Sequence, residues 1–95
     1  MTSIKANFKT HALATNGSAG AFLGFTFPVG TTSFSIKASD GSTDYEVSHV
    51  VAGTDSFLKD GSIEWFEDHL ILSNNTIFFR NSAVGAGALD IHTWS

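Results

Sequence analysis

The chain has no cysteine, a single proline and only five basic residues among 95. Without cysteine there can be no disulfide and no thiolate zinc site, so a domain this small must be held by its core or by partners. The same absence suits a reducing compartment. The cations Lys5, Lys9, Lys37, Lys59 and Arg80 are scattered singly against nine acidic residues, giving a net charge of −4. No basic tract follows a phosphate backbone, so no nucleic-acid partner is expected. No window reaches the ~20 apolar residues that span a bilayer, and the opening "MTSIKANFKTH" lacks the apolar run of a secretory signal. No membrane partner is expected either.

Charge is scarce in general. Charged residues make up 15% of the chain, against ~25% in ordinary globular proteins. Apolar residues make up 42%, including nine Phe. Few charges and many rings imply surface that other chains cover, unless Ser, Thr, Asn and Gly supply the polar exterior.

Frequent glycine, β-branched and aromatic residues read as all-β. The expected fold is a small antiparallel β-sandwich or open barrel of about six to eight strands built from hairpins. In "TSFSIKASDGSTDYEVSHVV", Asp40-Gly41 suits a two-residue type I′ turn. That turn would set Ala38 opposite Thr43, Ile36 opposite Tyr45 and Phe34 opposite Val47 on an apolar face. Lys37 opposite Asp44 and Ser35 opposite Glu46 would form the polar face. In "FLKDGSIEW", Asp60-Gly61 would likewise pair Lys59 with Ser62 and Leu58 with Ile63. The aromatics and turn signals favour a strand over a helix in "SIEWFEDHLIL".

In "LILSNNTIFFRNS", Asn74-Asn75 can take a turn, since Asn tolerates positive φ. Leu70, Leu72, Ile77 and Phe79 then face a core. Ile71 and Phe78 face the other way, with His69 and Arg80 beside them. In "AFLGFTFPV", Leu23, Phe25 and Phe27 share a face opposite Phe22, Gly24 and Thr26, and Pro28 marks an edge or a strand end. Residues 1–16 read as an N-terminal strand or docking arm, with Ile4, Ala6 and Phe8 on one face, and residues 17–95 as a single β domain. The last strand, "LDIHTWS", sets Leu89 and Ile91 against His92 and Trp94.

No catalytic constellation stands out. His11, His49, His69 and His92 lack metal-ligand spacing, and no metal or other cofactor is expected. In a strand, Asp68 and His69 point to opposite faces, as do Glu64 and Glu67, which weakens an acid–base enzyme built on His69 with Asp68 or Glu67. "SDGSTDYE" lacks the ligand ladder of a calcium loop. The expectation is therefore non-enzymatic: a structural subunit of a self-assembling particle, of the kind found in a phage virion as a capsid decoration or tail component. Its partners would be copies of itself and other virion proteins, and it would assemble in the host cytoplasm. The interface candidates are Ile4, Phe8, Phe22, Ile71, Phe78 and Arg80. The alternative is a carbohydrate-binding, lectin-like module that stacks sugars on Trp65 and Trp94.

Overall fold

The structure, a computed structural model, describes residues 8–68 and 76–95. Eight strands run in order: β1 (Lys9–Thr15), β2 (Leu23–Thr26), β3 (Ser33–Ala38), β4 (Tyr45–Ser48), β5 (Phe57–Lys59), β6 (Trp65–Glu67), β7 (Thr76–Asn81) and β8 (Gly87–Trp94). They form two four-stranded antiparallel sheets, the first ordered β1-β8-β3-β6 and the second β2-β7-β4-β5. The fold is thus an all-β sandwich.

The pairings follow one rule. Fold the chain in half at the β4–β5 connection, and β4 meets β5, β3 meets β6, β2 meets β7 and β1 meets β8. Wrapping this four-pair ribbon brings β3 against β8 and β4 against β7. That is jelly-roll connectivity, which buries one face of each sheet.

It also corrects the expected hairpins. β3 and β4 lie in different sheets, as do β5 and β6. The Asp-Gly turns are arches that carry the chain across the core instead of back alongside itself. A type I′ turn needs positive φ at both central residues. Gly41 has φ of 75°, but Asp40 is not in that region, and neither Asp60 nor Gly61 is. Asp40 instead accepts the amides of Ser42 and Thr43, each at 2.9 Å, and the Thr43 hydroxyl. Asp60 accepts the Ser62 amide at 2.9 Å. Ile36 therefore pairs with Ile91 and Trp65, Ser35 with His92 and Phe66, and Lys37 with Asp90. Leu58 pairs with Glu46.

The third expected hairpin falls partly outside the described residues, since it uses residues 69–75. On the described side, Phe78 and Phe79 are flanked by β2 and by β4.

The inward and outward alternation survives these changes. Phe34, Ile36, Ala38, Tyr45, Val47, Ile77, Phe79, Leu89 and Ile91 form the core together with Phe27. Residues expected on one face of a ribbon meet across the sandwich instead. A file of rings crosses the interior: His11 to Phe25 at 5.0 Å, Phe25 to Phe27 at 4.9 Å, Phe27 to Phe34 at 5.1 Å, Phe34 to Trp65 at 5.0 Å and Trp65 to Phe57 at 6.0 Å. It links the β1–β2 edge to the β5–β6 edge.

The four connections that cross between facing strands are bonded together. Asn81 donates its amide to Asn16 at 2.9 Å, and Ser18 to Ala83 at 2.9 Å. Ser82 donates to the Asp44 carbonyl at 3.1 Å, and Ala38 to Gly61 at 3.3 Å. The Gly61 amide reaches the Asp44 carboxylate at 3.2 Å. These bonds satisfy loop backbone that the sheets leave unpaired.

Candidate interaction surface

Strand parity puts Ser33, Ser35 and Lys37 on the outer face of the first sheet. Ser33 and Ser35 are nevertheless buried. Their neighbours in register explain this: Ser35 lies between His92 and Phe66, and Ser33 lies beside Trp94. Phe66 and Trp94 sit on strands that flank β3, yet their ring centroids are 5.9 Å apart. With strands spaced ~4.8 Å apart, the rings must lean across β3 and roof its small side chains. The Ser33 hydroxyl donates to Asp68 at 2.5 Å, and Ser35 contacts His92 Nδ1 at 3.4 Å.

Phe8 joins this roof, 5.1 Å from Trp94 and 5.6 Å from His92. Phe8 is 50% exposed and Phe66 53%. Beyond Phe66, the β5–β6 edge mixes apolar and charged side chains. There a recess of about 340 Å³ is lined by Lys59, Asp60, Ile63, Glu64, Trp65 and Phe66, and Ile63 is 62% exposed. Phe57 and Leu58 are also exposed at this edge. Single exposed apolar residues are ordinary, but a belt of neighbouring ones, as Phe8, Trp94, Phe66 and Ile63 form, is not.

The expected interface residues are dispersed. Phe8 belongs to the belt. Ile4 and Ile71 lie outside the described residues, as does His69. Phe78 and Arg80 do sit on the outer face of the second sheet, opposite in parity to Ile77 and Phe79, and Phe78 is half-buried there. Arg80 is already engaged. It makes a two-point pair with Glu46 at 2.9 and 3.0 Å, donates to the Gly20 carbonyl at 3.0 Å and stacks over the Phe22 ring at 4.5 Å. Phe22 is only 5% exposed. Gly53 closes over it: a Cβ there would come within 2.3 Å of the Phe22 ring, and Gly53 has φ of 76°. The chain's own 49–56 loop covers this ring, so Phe22 is not a contact surface.

The two tryptophans differ as well. Trp65 points inward, edge-on to Phe34, with the Lys59 ammonium 4.4 Å from its ring and its indole N–H donated to Glu67 at 2.9 Å. Trp94 stands on the outer face within the belt. Phe66, Ile63 and Phe57 could not be told from core residues by local pattern, because apolar side chains in or beside short strands look like core. The signal available was the brevity of "FLK" and "WFE" at sheet edges.

The acidic and histidine candidates serve local bonds. Asp68 holds Ser33, Glu67 holds Trp65, Asp44 holds Gly61 and Glu46 holds Arg80. Among the described residues no three His, Cys, Asp or Glu side chains gather as metal ligands. His11 contacts Thr93 at 3.1 Å; burial, then Lys9 and His92, lowers its pKa below the ordinary value. Comparison with known proteins adds nothing to this: no family model, curated protein or solved structure matches the chain.

Proposed function

We propose that the protein is a non-enzymatic structural subunit of a self-assembling particle, specifically a phage virion protein of the capsid-decoration or tail type. The apolar belt carries this reading. The core is complete without Phe8, Phe66 and Ile63, yet Phe8 and Phe66 both meet Trp94, and Phe66 shares a recess with Ile63, at the surface of a charge-poor chain. Covering one such half-exposed side chain contributes roughly 1 kcal/mol, so several together are needed to offset the ordering cost of association. Jelly-roll connectivity occurs in viral capsid proteins and in lectins alike, so the fold is compatible with this reading without selecting it.

Phe66→Asp, with Ile63→Asp as a second variant, tests it. Light scattering behind size exclusion should find the wild type as a multimer and each variant as a monomer with unchanged circular dichroism. A wild type that stays monomeric at high concentration would refute the reading, as would variants that assemble normally.

The ring cluster also favours a second reading, carbohydrate binding at Trp94. A glycan array with Trp94→Ala separates the two, because loss of a glycan signal from a monomeric protein would favour the lectin. Trp65 lines the neighbouring recess and stands apart from the Trp94 platform.

A further inference from the structure

The four edges of the sandwich are not alike. β5 and β6 have three residues each, with Lys59 or Glu67 among them, and β2 has four and is soon followed by Pro28. Shortness, charge and proline are the devices that keep sheet edges from pairing with other chains. β1 has seven residues, "KTHALAT", and after Lys9 it has neither lysine, arginine, acid nor proline. β8 pairs with one side of it throughout, and among the described residues its other side has no ladder partner. The seam below that side is apolar. Leu13 and Phe25 are only partly buried against the core, His11 packs on Phe25, and Leu23 is exposed.

We propose that β1 pairs antiparallel with β1 of a second copy across a two-fold axis at Ala12, joining the two first sheets into one sheet of eight strands. This rests on the assembly reading and names one of its contacts. The occupant follows from self-complementarity. An axis at Ala12 sets Lys9 opposite Thr15, Thr10 opposite Ala14 and His11 opposite Leu13, so all seven residues pair. Inner positions meet inner and outer meet outer, as a continuous sheet requires. No like charges face each other. Moving the axis to His11 would set two imidazoles opposite and leave residues unpaired. An isologous contact of this kind closes on itself as a dimer.

The size of the contact sets the conditions for its test. Seven residues span roughly 24 Å. Across a thickness of 17 Å, each copy covers on the order of 400 Å², about half of the ~800 Å² per partner in a standard interface. The pair is therefore weak alone and gains from a second contact within a particle.

The absence of cysteine makes the test clean. In this register the two Ala12 Cα atoms lie about 4.5–5.5 Å apart, within disulfide range, whereas two Ala14 residues are separated along the strands by four positions. Ala12→Cys should give a covalent dimer under mild oxidation at tens of micromolar, and Ala14→Cys should not. Both variants should keep the wild-type circular dichroism. Absence of the Ala12→Cys dimer, or equal cross-linking by both variants, would overturn the pairing. If Ala12→Cys stays uncross-linked while the wild type still forms large species, the pairing fails and the assembly reading stands. If the dimer forms and nothing larger does, the pairing stands and the particle reading fails.

Discussion

The two outer faces of the sandwich handle the same problem in opposite ways. Each carries aromatic rings where a solvated sheet face would carry polar side chains. On the second sheet, Phe22 is roofed by Arg80 and by the chain's own 49–56 loop, with Glu46 fixing the guanidinium. On the first sheet, the rings are themselves the roof. Phe8, Phe66 and Trp94 cover Ser33 and Ser35 and then face outward with nothing of the described chain above them. A small domain can spare one loop for one face. The other face keeps its rings uncovered by the described chain.

The largest way to break this contrast is to lift the loop. Gly53→Ala adds a Cβ against the Phe22 ring at a positive φ, so it should cost about 1–3 kcal/mol and expose Phe22. Thermal melts and limited proteolysis between residues 49 and 56 would register this; an unchanged melt and digest would show that the loop is not a cover.

Next in size is a change in the core that both faces share. The Tyr45 hydroxyl is buried and has no hydrogen-bond partner among the described residues, and burial pushes its pKa upward. Tyr45→Phe should stabilise by about 1 kcal/mol, raising Tm without altering either face. A lower Tm would show that the hydroxyl is satisfied in solution.

Smaller still is the effect of acid on the arch at Asp40. Its hydrogen bonds, first from the Thr43 hydroxyl and then from the Thr43 and Ser42 amides, hold its pKa at about 2. A carboxyl depressed on folding contributes stability that is whole above its unfolded pKa of about 3.9 and fades as pH falls through the folded value. Wild type should therefore melt above Asp40→Asn at neutral pH, and the two curves should converge between about pH 4 and 2. Parallel curves throughout would remove Asp40 from the account. Phe66→Asp loses the ring's contact with Trp94 and should cost no more than about 1 kcal/mol while abolishing assembly.

What could be read in the sequence was parity. A strand alternates with period two whatever its neighbour, so Phe34, Ile36 and Ala38, Ile77 and Phe79, and Leu89 and Ile91 were legible as inward from local pattern alone. Phe78, Arg80, His92 and Trp94 were legible as outward for the same reason. Pairing was not legible. Whether "ASDGST" returns as a hairpin or crosses as an arch depends on the backbone angle of Asp40, which the letters Asp-Gly do not determine. Every partner of β3 and β4 changes with that angle. Ser33 and Ser35 mark the same limit from the other side. As serines they look solvated, and only the rings brought alongside by β6 and β8 make them buried. The candidate site was accordingly half legible: Phe8 and Trp94 could be named, but Phe66 and Ile63 needed the topology that sets them beside Trp94.

The placement of the two tryptophans supplies the protein with a pair of built-in optical probes. Trp65 stands next to last in the interior ring file, between Phe34 and Phe57, so its emission should shift to the red when the core is wetted. Trp94 lies on the outer face beside His92, so its emission should respond to whatever settles on that face while the core stays dry. With Trp94→Phe and Trp65→Phe each leaving a single emitter, unfolding and surface coverage become separable signals from an unlabelled chain.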